Sequence, residues 1–129
     1  LDQRVSAVVA IVPAMCDFMG ALAGRRGGWP QPYETDASKE DMQKTLPYFD
    51  NANILKGSKA RIFTEIGMID MTCPPASVFA AVNQAKGKKI IYAVPYRPHQ
   101  SQALQRSNSK VWEETVYKPR EAFISDYLK

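Results

Sequence analysis

Cysteine is scarce in this 129-residue chain, histidine occurs once, and long apolar runs are missing. The two cysteines, Cys16 and Cys73, close one bridge at most, which excludes a disulfide-built scaffold. Neither has a second Cys or His at metal-ligand spacing, so no metal site is expected, and both read as free thiols used as small buried hydrophobes. No apolar run approaches the ~20 residues that cross a bilayer, so no membrane span is expected. The net charge of +4 is uneven: residues 86–129 carry nine Lys/Arg against four Asp/Glu, residues 1–85 eight against nine. No basic cluster is interleaved with aromatics that could stack bases, so this charge reads as a solvated face and not as a nucleic-acid surface. Repeats and low-complexity tracts are also lacking.

What is present is ordinary for a globular domain: 45% apolar and 23% charged residues, in a length that suits one core. The chain opens at Leu1 with a strand-like run instead of a basic n-region. A signal peptide would therefore lie upstream, and the compartment (cytoplasmic, periplasmic or secreted) is left open.

Ala7 to Val12 is apolar at every position, the pattern of a strand covered on both faces in the middle of a parallel sheet, and Pro13 ends it. Ala14 to Gly24 reads as an irregular helix and Arg25 to Tyr33 as a Gly- and Pro-rich loop. Asp36 or Ser38 suits the cap of a short helix over Lys39 to Leu46, with further helical turns to Leu55. Lys59 to Gly67 is a second strand, less uniformly apolar. After it Pro74 and Pro75 suit a first helical turn, Val78, Ala81, Val82 and Ala85 form one apolar face, and Gly87 is placed to close the helix. Lys88 to Pro95 is a third strand. Two helical pieces separated by Pro119 follow, with Phe123, Ile124, Tyr127 and Leu128 as a packing stripe and Trp112 and Tyr117 as core residues. Alternation of this kind predicts an α/β fold, a three-stranded parallel sheet with flanking helices.

In such sheets functional groups collect on loops leaving the carboxyl ends of strands. Asp70 lies three residues past Gly67, and His99 four past Pro95, so they occupy consecutive strand-end loops. Adjacent strands are about 4.8 Å apart, close enough for a carboxylate and an imidazole to meet. Such a pair fixes the imidazole tautomer and frees the other ring nitrogen to take a proton from a nucleophile. The plainer alternative is a turn aspartate and an exposed histidine.

The stretch GMIDMTCPPASVFAAVNQAKGKKIIYAVPYRPHQ resembles the C-terminal part of the acetyl xylan esterase / cephalosporin C deacetylase family. That family's pattern runs Gly-Leu-x-Asp-x-x-Cys-Pro-Pro-Ser-Thr, a helix, a strand ending Tyr-Pro-Tyr, and His-Glu. Gly67, Asp70, Cys73, Pro74, Pro75, Pro95, Tyr96 and His99 match. DQRVSAVVAIVPAMCDF near the start and Pro47-Tyr48-Phe49-Asp50 are similar to further family segments, so the likeness covers about residues 1 to 100. Gln100 stands where the family has Glu, and Ala76-Ser77 where it has Ser-Thr.

The resemblance implies a single partial domain over residues 1–129, the C-terminal part of an α/β-hydrolase fold. It implies a serine carboxylesterase acting on an acetylated saccharide or small ester without a cofactor, with Asp70 and His99 as catalytic acid and base. The nucleophile is missing from this chain: no serine is framed by glycines in the Gly-x-Ser-x-Gly elbow, and the oxyanion donor next to that serine would also lie upstream. Ser101 and Cys73 are the nearest substitutes in sequence, and neither has a strained turn or oxyanion hole in its favour. This chain alone is therefore expected to be inactive. Trp29 and Tyr33 are candidates for a sugar-facing aromatic wall, against the plainer reading of a packed loop. Other α/β-hydrolases, such as a peptidase or lactonase, and a non-catalytic carbohydrate-binding module are the competing functions. If the sheet is the end of a larger one, Ala7 to Val12 has a bare edge, which predicts a homo-oligomer.

Overall fold

In the computed structural model, residues 2–31, 35–100 and 109–129 are described. Three parallel strands, β1 (Ala7–Ile11), β2 (Arg61–Gly67) and β3 (Lys89–Val94), lie in the order β1-β2-β3. Ala7 pairs with Arg61 and Ile11 with Glu65; on the other side Ile62 pairs with Lys89 and Gly67 with Val94. The all-parallel ladder with helices in the connections is the expected α/β architecture. No helix among the described residues is long and apolar enough to cross a membrane.

Among the described residues the strand order leaves β1 with the bare edge expected if the sheet is the end of a larger one, and not in the middle as its composition suggests. β1, apolar at every position, is an edge of this sheet, with Val9 and Ile11 partly exposed, whereas β2 is the central and most buried strand. β2 holds Thr64 and Glu65 out of water, which a central strand tolerates only where a partner meets the charge. Ile66 of β2 forms the core cluster with Cys73, Val78 and Val82.

Helices α1 (Phe18–Leu22), α2 (Lys39–Thr45) and α3 (Asn51–Ile54) fill the β1–β2 connection, with 3₁₀ turns over Leu46–Tyr48 and Leu55–Gly57. Of the two candidate caps for α2 it is Ser38 whose hydroxyl accepts from the Asp41 N–H at 3.1 Å. α4 (Pro75–Val82) starts at the two prolines as expected and buries Val78, Ala81 and Val82. It ends at Val82, with Asn83 as its cap, so Gly87 does not close it. Gly87 instead lies where a Cβ would run into the Ala60 and Lys59 carbonyls, and its smallness lets the chain pass the start of β2.

At the end, α5 (Ser109–Trp112), a π-helical turn (Glu113–Tyr117) and α6 (Lys118–Leu128) follow one another without a gap. Pro119 therefore does not separate two pieces. It sits in the first turn of α6, where its missing N–H is harmless, and the widened π turn precedes it. Phe123 packs its ring 5.6 Å from that of Phe63, and the Arg61 guanidinium covers Phe123 and Tyr127 at 5.6 and 5.8 Å. Ile124 and Leu128 are exposed, so the expected stripe narrows to Phe123 and half-buried Tyr127. Trp112 is buried as expected, while Tyr117 is only half-buried under the Arg120 guanidinium.

Candidate active site

Among the described residues, the non-glycine residues with positive φ all lie past the carboxyl end of β1. Directly past β1, Val12, Met15 and Asp17 have φ of 41°, 56° and 59°. For a β-branched residue such as Val12 that conformation costs on the order of 1–3 kcal/mol and persists only where neighbours enforce it. The Val12 N–H is held by the Glu65 carbonyl at 2.9 Å and the Met15 N–H by the Trp29 carbonyl at 3.0 Å. Asp50, fully buried, accepts from the Asp17 and Phe18 N–H groups at 2.8 Å and also caps α3.

Past β2, the chain turns at Gly67, whose carbonyl accepts from the Asp70 N–H at 3.2 Å. Asp70 is buried and uses its two oxygens differently. Oδ1 accepts from the Thr72 and Cys73 N–H groups at 2.8 and 2.7 Å, fixing the loop that leads into α4. Oδ2 lies 2.9 Å from His99 Nδ1. The two side chains, 29 residues apart in the chain, thus meet above adjacent strands. Asp70 is a turn residue and a histidine partner at once, so the two sequence readings of it do not compete.

The His99 side chain is one-third exposed, while that of Asp70 is sealed. A carboxylate facing Nδ1 holds the neutral ring with its proton on Nδ1, which leaves Nε2, on the far side of the ring, as a proton acceptor. Burial of the partner in this way strengthens the hold on the ring and keeps its orientation.

Cys73 comes close too: Asp70, Cys73 and His99 bring one ligand atom each within 4.8 Å of one another, a proximity that their linear spacing hides. Both Asp70 oxygens are already engaged, and burial, then the charge of Asp70, pushes the Cys73 thiol above its ordinary range. A protonated thiol is neither a ready nucleophile nor a ready ligand. Cys16, also buried and free, is pushed up to about 12, chiefly by burial. Asp70, His99 and the Cys73 thiol thus form one compact polar cluster at the carboxyl edge of the sheet. Ser101, the other substitute nucleophile, lies outside the described residues, as does Tyr33.

Trp29 stands beside this site through its main chain. Its N–H donates to the Thr72 carbonyl at 2.9 Å, in the Asp70 loop, and its side chain is well exposed. Gly28 permits this approach, since a Cβ there would lie 3.2 Å from Pro74 Cδ.

Two further charged residues escaped the sequence reading. Arg97, in the loop that carries His99, and Glu65, in β2, form a buried ion pair between Nη1 and Oε1. The visible signal was a glutamate inside a strand run, which a central position obliges to find a cation.

Comparison with known proteins bears on the family and the fold. Residues 1–115 match the family profile of acetyl xylan esterase (AXE1). The chain belongs to the acetyl xylan esterase family. An acetyl esterase of Xylanibacter ruminicola is 26% identical over 113 residues, which are 87% of this chain and 26% of that protein. Among solved structures, the acetyl xylan esterase of Paenibacillus sp. R4 superposes with a TM-score of 0.65 at 26% identity, over 88% of this chain and 38% of that one. Acetyl xylan esterase 1 of Thermoanaerobacterium sp. gives 0.61 at 24% identity, over 88% and 39%. These neighbours have an α/β-hydrolase fold, and the three-stranded sheet of this family member is part of one. The chain spans about a quarter of the curated relative and less than two-fifths of the solved ones.

Proposed function

We propose that this chain is the C-terminal portion, a single partial domain, of a serine ester hydrolase that removes acetyl groups from acetylated sugars. Asp70 and His99 are its catalytic acid and base. On this reading the serine and the oxyanion donors come from sequence outside this chain, which spans only part of the length of its relatives. The reading is carried by one observation, the 2.9 Å contact between a sealed carboxylate and a part-exposed imidazole on consecutive strand-end loops.

The serine hydroxyl adds to the acetyl carbonyl carbon while His99 Nε2 takes its proton. Asp70 stabilises the resulting imidazolium and keeps Nε2 aimed. Collapse of the tetrahedral intermediate breaks the ester C–O bond, and His99 returns the proton to the departing sugar alcohol. Water then repeats the sequence on the acetyl-serine and releases acetate. Burial of Asp70 lets its charge act at low dielectric, where it weighs most. Trp29, exposed beside the Asp70 loop, supplies an apolar face against which a sugar ring stacks.

The test joins this chain to its preceding coding sequence and measures hydrolysis of 4-nitrophenyl acetate and acetylated xylan. Acetate release that disappears with His99→Ala supports the reading. Cleavage of peptides or lactones instead would assign another α/β-hydrolase. Sugar binding without hydrolysis, lost in Trp29→Ala, would assign a binding module.

A further inference from the structure

The loop that carries His99 leaves an exposed strand. From Lys86 to Gln100 Arg97 alone is fully buried. Tyr96, its neighbour, is 81% exposed, and Pro95 is exposed as well. A loop with so little apolar surface to bury has few ways to hold one conformation. Its anchor is a charged side chain.

Arg97 enters the interior from two residues ahead of His99. Its guanidinium pairs with Glu65, which is wholly buried at the centre of the sheet and two residues ahead of Gly67. The other side of the guanidinium lies over the Trp112 ring, 5.2 Å from its centroid, so the C-terminal helix closes the pocket. The Arg97 main chain is held as well: its N–H donates to the Val94 carbonyl at 3.2 Å, and its carbonyl accepts from the Ile69 N–H, next to Asp70, at 3.3 Å. Both ends of this pair are thus within a few residues of the two members of the site.

The pair is poorly built as a stabiliser. Glu65 Oε2, Arg97 Nε and Trp112 Nε1 have no hydrogen-bond partner among the described residues. Burying two charges costs several kcal/mol per ion, and an incompletely bonded pair recovers this no better than apolar side chains of similar volume. What such a pair does well is admit one geometry, because a planar guanidinium meets a carboxylate from few directions.

We propose that the Glu65–Arg97 pair is a buried clamp that sets the position of His99 against Asp70, with Arg97 as a positioning residue for the acid–base pair. This rests on the reading of Asp70 and His99 given above. Through Trp112 the clamp also makes the C-terminal helix part of the apparatus that places the histidine.

His99 is the sole histidine of the chain, so its imidazole ¹⁵N signals are read without overlap in the 129-residue protein. The wild type is expected to show a slowly exchanging proton on Nδ1, held in the contact with Asp70 Oδ2. The Glu65→Leu/Arg97→Met double variant replaces the pair by apolar groups. It is expected to unfold cooperatively near the wild-type midpoint, yet to lose the slow Nδ1 proton as the ring moves to the Nε2–H form that an unconstrained histidine side chain favours. Arg97→Lys, which keeps charge without the planar fork, is expected to retain only part of the signal. A folded double variant with wild-type imidazole signals would overturn the clamp. A double variant that fails to fold would overturn it too, because the pair would then be serving the core. Asp70→Asn separates this from the underlying reading. If Asp70→Asn abolishes the Nδ1 signature and the double variant does not, the acid–base pair stands and the clamp falls. If Asp70→Asn leaves the signature intact, the pair itself falls and the clamp with it.

Discussion

Asp70 serves His99 with one carboxylate oxygen and its own loop with the other: Oδ2 faces Nδ1 at 2.9 Å, while Oδ1 takes the Thr72 and Cys73 N–H groups. This division separates the two consequences of changing it. Asp70→Asn retains an acceptor for the two main-chain donors, so the fold is expected to keep its thermal midpoint within a few degrees. Asp70→Ala orphans both donors and is expected to cost about 1–3 kcal/mol of stability. If the proposed function holds, both changes lower kcat of the full-length protein, Asn by roughly 10⁴-fold by analogy with other triads. Thermal unfolding and acetate release, measured on the same two variants, check the division.

Glu65 gives the chain a pH dependence of definite sign. Burial raises its carboxyl above the ordinary value of 4.5, and Arg97 opposes the rise without cancelling it. A carboxyl raised in the folded state binds its proton more tightly there than in the unfolded chain. Its contribution is fully present below pH 4.5 and is lost as pH climbs through the raised value. Glu65→Gln removes this loss. The urea midpoint of Glu65→Gln is therefore expected to gain on the wild type between pH 4.5 and neutrality. Parallel curves for the two proteins would mean that burial does not govern this group.

The meeting of Asp70 and His99 was legible in the sequence because parallel topology allows little else: consecutive strand–helix units send their loops to the same sheet edge. Strand order was less so. Ala7–Val12 looks central by composition and lies at an edge among the described residues, the bare edge expected of the end of a larger sheet, since periodicity records how many faces are apolar and not which neighbours cover them. Gly87 shows the same limit, as a close approach to Ala60 is a tertiary fact that the sequence disguises as a helix stop. Ile124 and Leu128 have helical spacing yet stay exposed among the described residues. Glu65 and Arg97 are 32 residues apart, and only the register of β2 beside β3 brings them together.

β1 leaves an edge unpaired among the described residues, with Val9 and Ile11 partly exposed upon it. A short apolar strand in that position is a template for another chain. This chain by itself is therefore expected to self-associate as its concentration rises, and Val9→Lys to weaken that association by placing a charge on the strand. Sedimentation equilibrium measures both. A monomer at every concentration would show that the edge is inert.

Gly67 is expected to be the most sensitive glycine for activity, although its backbone is not in the left-handed region. A Cβ there would lie 2.5 Å from the Arg97 carbonyl and 3.2 Å from Asp70 Cβ, between the two loops that must converge. Neither obstacle gives way cheaply, since one is main chain and the other a sealed residue bonded on both oxygens. Gly67→Ala therefore separates the loops, breaking the Ile69 N–H contact to Arg97 and drawing His99 from Asp70. The expected destabilisation is roughly 1–3 kcal/mol, the usual range for overpacking. Under the proposed function, the loss of acetate release by the full-length protein should exceed what that destabilisation explains at temperatures where the variant is fully folded. Gly87→Ala is the control: it too crowds a main-chain carbonyl, but at Ala60, at the far end of β2. Its folded population should keep wild-type kcat. Equal losses in the two variants would mean that crowding near β2 disturbs the whole sheet instead of the Asp70–His99 contact.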